Sequence, residues 1–370
     1  MKNRKIIFWE RWGAALRNRI VQEDLVQIVR EDLPWDRFAG SSVLVTGAAG
    51  ILASYVAETL LYLNECRGLG VHVIGVVRDT AKARQRFAHY EGRSDLTIMA
   101  QDVCEPLSID MPVDYIFHAA GQASPKFYGA DPVGTLEGHI LGTRNVLRLA
   151  HEKRIKGMLL FSSCDSYGEL AAGDETPDEA IDEHYVGRID PLSDRACYPV
   201  GKAAAEALCR AYALAYRLPV KILRIAHTYA PLMPLDDGRV FTDFIGNVLR
   251  GEDISLNSDG SAERPMLYIA DAVRAYFRIL LRGENGAAYN VAADENTSIL
   301  ELARLLVSLC PEKRLSVTFH KKKNAGYLAA PEKKIRISTE KLKSLGYRRR
   351  YSLEEGMRRT LESYMEEGIS

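Results

Sequence analysis

The sequence predicts an α/β chain built on a doubly wound parallel sheet, and three observations predict it. The stretch Ser42 to Leu61, SVLVTGAAGILASYVAETLL, runs from an apolar strand through a glycine turn into helical spacing. Strand and helix patterns then alternate as far as Ile225. The predicted strands are apolar on both faces, as strands covered by helices on both sides are.

The elements follow in order. Residues 1–40 form a leader in which Trp9, Trp12, Leu16, Ile20, Leu25, Ile28 and Val29 suggest one or two amphipathic helices ended by Pro34. Such an arm is expected to pack on the main body or on a partner subunit. Val43 to Val45 make the first strand. Gly47 and Gly50 follow, where the chain must turn tightly and a ligand must approach the backbone. Ile51, Leu52, Val56, Leu60 and Leu61 then recur at helical spacing, with Ala53 as the small residue for close helix–strand packing. A helix opening just after a glycine turn aims its free N–H groups at whatever lies above the strand, which suits a pyrophosphate. Further strands are predicted at Val71–Val77, Leu96–Ala100, Tyr115–Ala120, Met158–Ser162 and Val220–Ile225, with long helices at Pro132–Ala150 and Tyr198–Tyr216. That is a Rossmann-type pattern, whose ligands sit at the carboxyl ends of the strands. Residues 41–226 form the dinucleotide-binding domain in this reading, and 227–370 mainly a smaller, discontinuous substrate lobe.

Composition narrows the class. The chain has 370 residues, with 49 lysines and arginines against 49 aspartates and glutamates, so no bulk field favours nucleic acid or an anionic membrane. No apolar run is long enough for a membrane span, and no signal-peptide pattern opens the sequence. The six cysteines show neither paired metal spacing nor disulfide-scaffold density. These features predict a reduced cytoplasmic enzyme without a metal. The basic runs Lys321–Lys323 and Arg348–Arg350 lack interleaved aromatics and read as solvated faces. His118, on an apolar strand, reads as a packed residue.

The chemistry is carried by a second constellation. Tyr198 and Lys202 are four apart on a predicted helix and so share a face. An ammonium beside a phenol favours the phenolate, which makes tyrosine a usable general base. Ser163, at the end of the fifth strand, can hydrogen-bond the same substrate hydroxyl.

With these residues in view, the chain resembles the extended short-chain dehydrogenases/reductases of the NAD-dependent nucleotide-sugar epimerase/dehydratase family. The segments TGAAGILA, FHAAGQASPKFYGADP, FSSCDSYGE, CYPVGK and RIAHTYAP carry the resemblance. Within the family it is most similar to the UDP-glucuronate decarboxylase branch. Ala123, Ser124, Pro125, Tyr128, Asp131 and Pro132 match that branch's ASPxxYxxDP stretch. Arg195, Cys197, Tyr198, Gly201 and Lys202 match its RSCYxxGK segment, and Asp237, Gly238, Arg239 and Val240 its DGRV segment. The likeness runs from about Ser41 to Glu366 and leaves only the leader outside.

The resemblance implies roles. Gly47, Gly50 and Ile51 would line the cofactor pyrophosphate, with Asp102 and Val103 flanking the adenine and Ala119 and Ala120 beside the nicotinamide ribose. Tyr198 would take the proton of the sugar 4-hydroxyl. Lys202 would bind the ribose and lower the tyrosine pKa, and Ser163 would bind the same sugar oxygen. Ser124, Tyr128, His227, Arg239 and Arg264 would meet the nucleotide sugar, Arg264 at its diphosphate. A homodimer is the expected assembly.

Departures from the pattern cluster around the sugar. Cys164 and Asp165 stand where the branch has serine and glutamate. His227 replaces an asparagine that meets the substrate diphosphate, with a charge expected to depend on pH, and Ala230 replaces a glycine. At the end of the second strand Val77 takes the place of the usual ribose-binding acid, with Arg78 and Asp79 behind it. Arg78 is compatible with the 2′-phosphate of NADP, whereas Asp79 and the resemblance favour NAD. Decarboxylation is the outcome expected first, with 4-epimerisation and 4,6-dehydration as alternatives. A dinucleotide-binding sensor or scaffold without catalysis is the alternative from another class.

Overall fold

The computed structural model describes residues 18–168, 180–319 and 336–369, apart from the side chains of Pro125, Phe127 and Tyr128. Trp9, Trp12, Leu16 and Lys321–Lys323 lie outside the described residues. The leader enters as helix α1 (Arg19–Val29), opened by Asn18, whose side chain accepts from the amides of Ile20 and Val21. It ends at Val29, ahead of the expected stop at Pro34, and the Trp35–Phe38 segment forms a separate 3-10 turn.

The alternation then runs β1 (Ser42–Thr46), α2 (Ile51–Arg67), β2 (His72–Val77), α3 (Thr80–Arg86), β3 (Leu96–Ala100) and β4 (Tyr115–His118). Two helices follow, α4 (Pro125–Ala130) and α5 (Pro132–Lys153), then β5 (Gly157–Ser163), α6 (Cys197–Tyr216), β6 (Val220–Ile225) and β7 (His227–Tyr229). The remainder is α7 (Val240–Arg250), β8 (Ile254–Leu256), β9 (Glu263–Arg264), β10 (Met266–Tyr268), α8 (Ile269–Arg282) and β11 (Ala288–Val291). It closes with β12 (Thr297–Ser298), α9 (Ile299–Ser308), β13 (Val317–Phe319), α10 (Glu340–Ser344) and α11 (Leu353–Glu366).

Seven strands pair in the order β11-β6-β5-β4-β1-β2-β3, all parallel. Alternate residues face alternate layers. Leu44, Ile116, Met158 and Ile222 pack with Val146, Leu147 and Cys209 of α5 and α6. Val43, Val45, Phe117 and Phe161 pack on the other side with α2 and α8. The chain beyond Ala226 is not confined to a separate lobe, because α8 covers that second face and β11 pairs with β6 to extend the sheet. Shorter pairs, β7 with β10 and β9 with β12, build the wall beside the strand ends.

Helix α1 is a structural part of this body. Its Asp24 is fully buried, accepts hydrogen bonds from the hydroxyls of Tyr55 (3.2 Å) and Tyr268 (2.7 Å), and pairs with Arg359 at 2.7 Å. Glu31, just beyond the helix, is bonded by Arg274, Arg278 and Arg350 at 2.7, 2.6 and 2.6 Å. Those arginines and Arg349, which pairs with Glu295, are engaged with acids of the chain itself. No helix among the described residues is long and apolar enough to cross a membrane.

Candidate active site

The carboxyl ends of β1, β4 and β5 converge where the expected site residues lie. Gly47 has φ +66°, and a Cβ there would come within 2.9 Å of the Ala120 Cα, so only glycine lets the first turn lie against Ala119 and Ala120. Gly50 opens α2 in an extended conformation; no side chain caps the helix and its first turn carries no acid. Its leading amides are therefore available to a ligand, and a dinucleotide pyrophosphate fits that end. Ile51 is the first residue of the helix.

Behind this turn runs a buried polar chain. Thr46 Oγ1 lies 2.8 Å from His118 Nδ1, and His118 Nε2 lies 3.1 Å from Thr143 Oγ1. The Ala120 amide donates to Thr46 Oγ1 at 3.2 Å, so this chain fixes the Ala119–Ala120 loop. Burial, with Lys202 adding to it, pushes the His118 pKa down to about 3, so the ring is a neutral relay between two hydroxyls. On the expected adenine side, Val103 is buried against Gly142, and Asn145 Nδ2 donates to the Val103 and Cys104 carbonyls. Asp102 accepts from the Cys104 amide at 2.9 Å and lies 3.9 Å from the Arg78 guanidinium. Asp79 caps α3 by accepting from the Lys82 amide at 3.0 Å, which gives this acid a structural task. Arg78 is the exposed cation at the end of β2.

The catalytic candidates come from α6 and β5. Tyr198 lies in the first turn of α6 and is 8% exposed; Lys202, one turn on, is 6% exposed. The Lys202 ammonium lies 5.7 Å from the Tyr198 ring centroid and donates to the Phe161 carbonyl at 2.6 Å. Burial holds the Lys202 pKa down to about 8, while Glu206 and Asp165 draw it up. At pH 7 it remains mostly charged beside the phenol. Ser163 ends β5, and its Oγ accepts from the Asp165 amide at 3.1 Å, which nucleates the 3-10 turn carrying Cys164 and Asp165.

Two neighbours of this group escaped the sequence reading. His139 of α5 stacks edge-on to Tyr198 at 5.4 Å and bonds the Gln122 carbonyl through Nε2 at 3.1 Å. A Cβ at Gly121 or Gly201 would strike its ring at 2.4 or 3.0 Å, so the glycine of CYPVGK makes room for this histidine. Glu206, one turn beyond Lys202, accepts from Ser162 Oγ (2.5 Å) and Ser166 Oγ (3.0 Å), which bracket Ser163, and pairs with Arg224 at 2.7 Å. The spacing Tyr198, Lys202, Glu206 was the available signal, since all three fall on one helical face.

The residues expected at the sugar come from several loops. Ser124 is buried and donates to the Asp237 carbonyl at 2.5 Å, and Asp237 pairs with Arg239 at 3.1 Å. Lys126 reaches Asp236 at 3.3 Å, so the ASP segment and the DGRV loop are fastened together. Asp131 of the same motif is a helix cap, accepting from the Gly134 amide ahead of Pro132 at the first position of α5. The Tyr128 side chain lies outside the described residues. Arg264, on β9, donates to the Glu263 carbonyl at 2.7 Å.

His227 opens β7, its ring reached by solvent yet hemmed in by surrounding protein, as at the floor of a cleft. That desolvation, opposed by Asp165 and reinforced by Arg264 and Arg239, lowers its pKa to about 4. The expected change of charge near neutral pH is thereby corrected, since the ring is neutral at pH 7. Asp165 is exposed at the same place, near enough to influence both Lys202 and His227. Cys164 turns away from it: the thiol donates to the Arg224 carbonyl at 3.4 Å, packs near Tyr167 and Ala292, and is pushed well above its usual pKa by burial. No cluster of three or more His, Cys, Asp or Glu among the described residues could hold a metal.

The decisive comparison is with protein-family models, of which the NAD dependent epimerase/dehydratase family matches residues 43–292. The chain belongs to that family. UDP-glucuronic acid decarboxylase 6 of Arabidopsis thaliana is 33% identical over 268 residues, covering 72% of this chain and 74% of that protein. UDP-glucuronic acid decarboxylase 1 of Xenopus tropicalis is 33% identical over 269 residues, covering 72% of this chain but only 60% of the relative. Among solved structures, an epimerase from Methanothermobacter thermautotrophicus superposes with a TM-score of 0.75 at 20% identity, covering 95% of this chain and 97% of that one. The UDP-glucuronic acid 4-epimerase of Bacillus cereus, in complex with UDP-glucuronic acid and NAD, gives 0.71 at 23% identity, covering 88% and 99%. These structural likenesses speak to the fold, which is the seven-stranded family fold.

Proposed function

We propose that this member of the family is an NAD-dependent enzyme that oxidises a nucleotide-linked hexose at C4, and that it is a UDP-glucuronate decarboxylase. The observation that carries the reading is the Tyr198–Lys202 pair on α6, closed against the end of β5 beside Ser163. Family membership and the two decarboxylase relatives support it. NAD, held by Gly47, Gly50, Ile51, Asp102, Val103, Ala119 and Ala120, would accept and return the hydride at C4. Asp79 is engaged as a helix cap, so Arg78 is the residue that decides between NAD and NADP. Tyr198 removes the 4-hydroxyl proton, Lys202 stabilises the phenolate, and Ser163 holds the same oxygen. Ser124, Tyr128, His227, Arg239 and Arg264 receive the nucleotide and its diphosphate, with His227 contributing a neutral hydrogen bond.

Once C4 is a ketone, a C5 carboxylate is a β-keto acid and leaves as carbon dioxide without a leaving-group acid. Elimination at C6 requires such an acid, and Cys164 is unsuited to it, with its thiol tied to a backbone carbonyl and its pKa raised. Asp165 is then the group that returns a proton at C5, directly or through water. The expected assembly is a cytoplasmic homodimer, for which light scattering of the purified chain is the check.

Mass spectrometry of the products from UDP-glucuronate tests the reading. The wild type should release carbon dioxide and a UDP-pentose, and Tyr198→Phe should lose turnover by at least roughly a hundredfold while binding substrate. Retained turnover in that variant would remove Tyr198 from the mechanism, whereas a wild type that binds NAD yet turns over no nucleotide sugar would favour a dinucleotide-binding protein without catalysis. In deuterated water the product should carry deuterium at C5, and Asp165→Asn should lose it or stall at the 4-ketone. A product without solvent deuterium would make the protein a 4-epimerase.

A further inference from the structure

At the opposite end of the sheet from the cleft, the amino ends of β4, β5 and β6 and the last turn of α8 enclose a polar cavity of about 230 Å³. Its lining holds Lys221 of β6, Arg37 of the leader and Lys156, with Tyr115 and Asn285 beside them. Lys221 is 6% exposed and among the described residues donates to the Leu280 carbonyl alone, at 3.1 Å, although an ammonium has three protons to give. It has no acidic partner among the described residues. Arg37 donates to the neighbouring Leu281 carbonyl at 3.0 Å, and its charge opposes that of Lys221. Asp114, just before β4, is bound to Lys156 at 2.9 Å.

We propose that this cavity is an anion site for a small phosphate-bearing ligand, gripped by Lys221, Arg37 and Lys156 and separate from the nucleotide-sugar cleft. Capping of α8's last carbonyls accounts for part of the arrangement, since cations favour a helix C-terminus. It does not account for two cations gathered against each other, one of them almost wholly buried. Burying a charge without a counter-charge is costly, and here that cost shows as a Lys221 pKa lowered to about 8 by burial and by Arg37. An anion between them removes both the desolvation and the repulsion, and the guanidinium fork of Arg37 suits phosphate oxygens. The cavity has room for one phosphate group and a short organic stem. Arg37 lies in the leader, outside residues 43–292 matched by the family model, whereas Lys156 and Lys221 lie inside them.

The test is calorimetric titration of the full chain with inorganic phosphate and, separately, with glycerol 3-phosphate. Lys221→Met and Arg37→Gln should each weaken binding by roughly tenfold or more, the loss expected for a charge-assisted contact. Arg37 is exposed, so its variant keeps the experiment decisive even where Lys221→Met folds poorly. Equal affinity for the two probes identifies free phosphate as the ligand, and tighter glycerol 3-phosphate identifies a phosphomonoester. Binding that survives undiminished in Arg37→Gln, or in a folded Lys221→Met, overturns the proposal, because the heat then arises elsewhere. So does the absence of binding by either probe. Neither result bears on the decarboxylase reading, which is measured by product.

Discussion

Lys202 and Lys221 sit at opposite ends of one sheet and look alike at first. Each is 6% exposed, donates to a backbone carbonyl and is held to a pKa of about 8, chiefly by burial. Their surroundings differ. Glu206 and Asp165 draw the proton onto Lys202, and the Tyr198 ring lies beside it. Beside its carbonyl partner, Lys221 meets another cation, Arg37, and no acid among the described residues. Desolvation alone therefore does not make a catalytic lysine. What distinguishes Lys202 is a phenol within reach and acids that offset part of its burial, whereas the charge beside Lys221 is another cation, which in the proposal above calls for a counter-ion.

Lys202→Met is the substitution expected to separate them most. It removes the charge that favours the Tyr198 phenolate, and turnover of UDP-glucuronate should fall by at least roughly a hundredfold. An unchanged rate would leave the two lysines equivalent and take Lys202 out of the mechanism.

The second expectation concerns stability and treats the pair as equals. For each lysine the pKa in the folded chain is about 8, against 10.5 for the free side chain. Between those values the unfolded chain binds more protons, so folding stability rises with pH across that window and is lowest, from this cause, below about 8. The displacement corresponds to roughly 3 kcal/mol per lysine as an upper scale. Denaturation midpoints of wild type, Lys202→Met and Lys221→Met, compared at pH 7 and pH 10, should show each variant losing part of the rise. Phosphate at pH 7 should stabilise the wild type more than Lys221→Met. A variant that keeps the whole rise would mean that its lysine is solvated.

These two lysines also mark where the sequence is legible. Lys202 was found because it stands four residues from Tyr198 on a helix, and the same local patterns located the seven-strand sheet apart from β11. Gly47 and Gly50 were read from a turn whose geometry is local. Lys221 carries no such signal: it sits in an apolar strand, and its partners come from a leader turn and a helix end far away in sequence. His139 and Glu206 were missed for the same reason, since their meaning comes from packing across helices. Asp79 and Asp131 show the reverse case, because residues next to or within the family's motifs cap helices. Cys164 stood out as a departure from the branch's pattern, but the sequence gives no hint that its thiol faces the Arg224 carbonyl.

The smallest effect is expected at His227, where the comparison becomes one between burial and a neighbouring acid. Asp165 pulls its proton on, whereas desolvation, Arg264 and Arg239 push it off, and the net result is a pKa of about 4. Its usual value is 6.5, so between these limits the unfolded chain binds more protons and stability falls as pH drops from 6.5 towards 4. Because the ring is reached by solvent, the loss should be modest. His227→Asn should soften it while leaving the midpoint at pH 8 nearly unchanged, since an amide can replace a neutral imidazole as a hydrogen-bonding group. In the NMR spectrum the His227 ring proton should hold its position from pH 8 down to about 5.5. A titration centred near 6.5 would show that Asp165 and water outweigh burial in this cleft. The substrate diphosphate would then meet a switchable cation instead of a neutral donor.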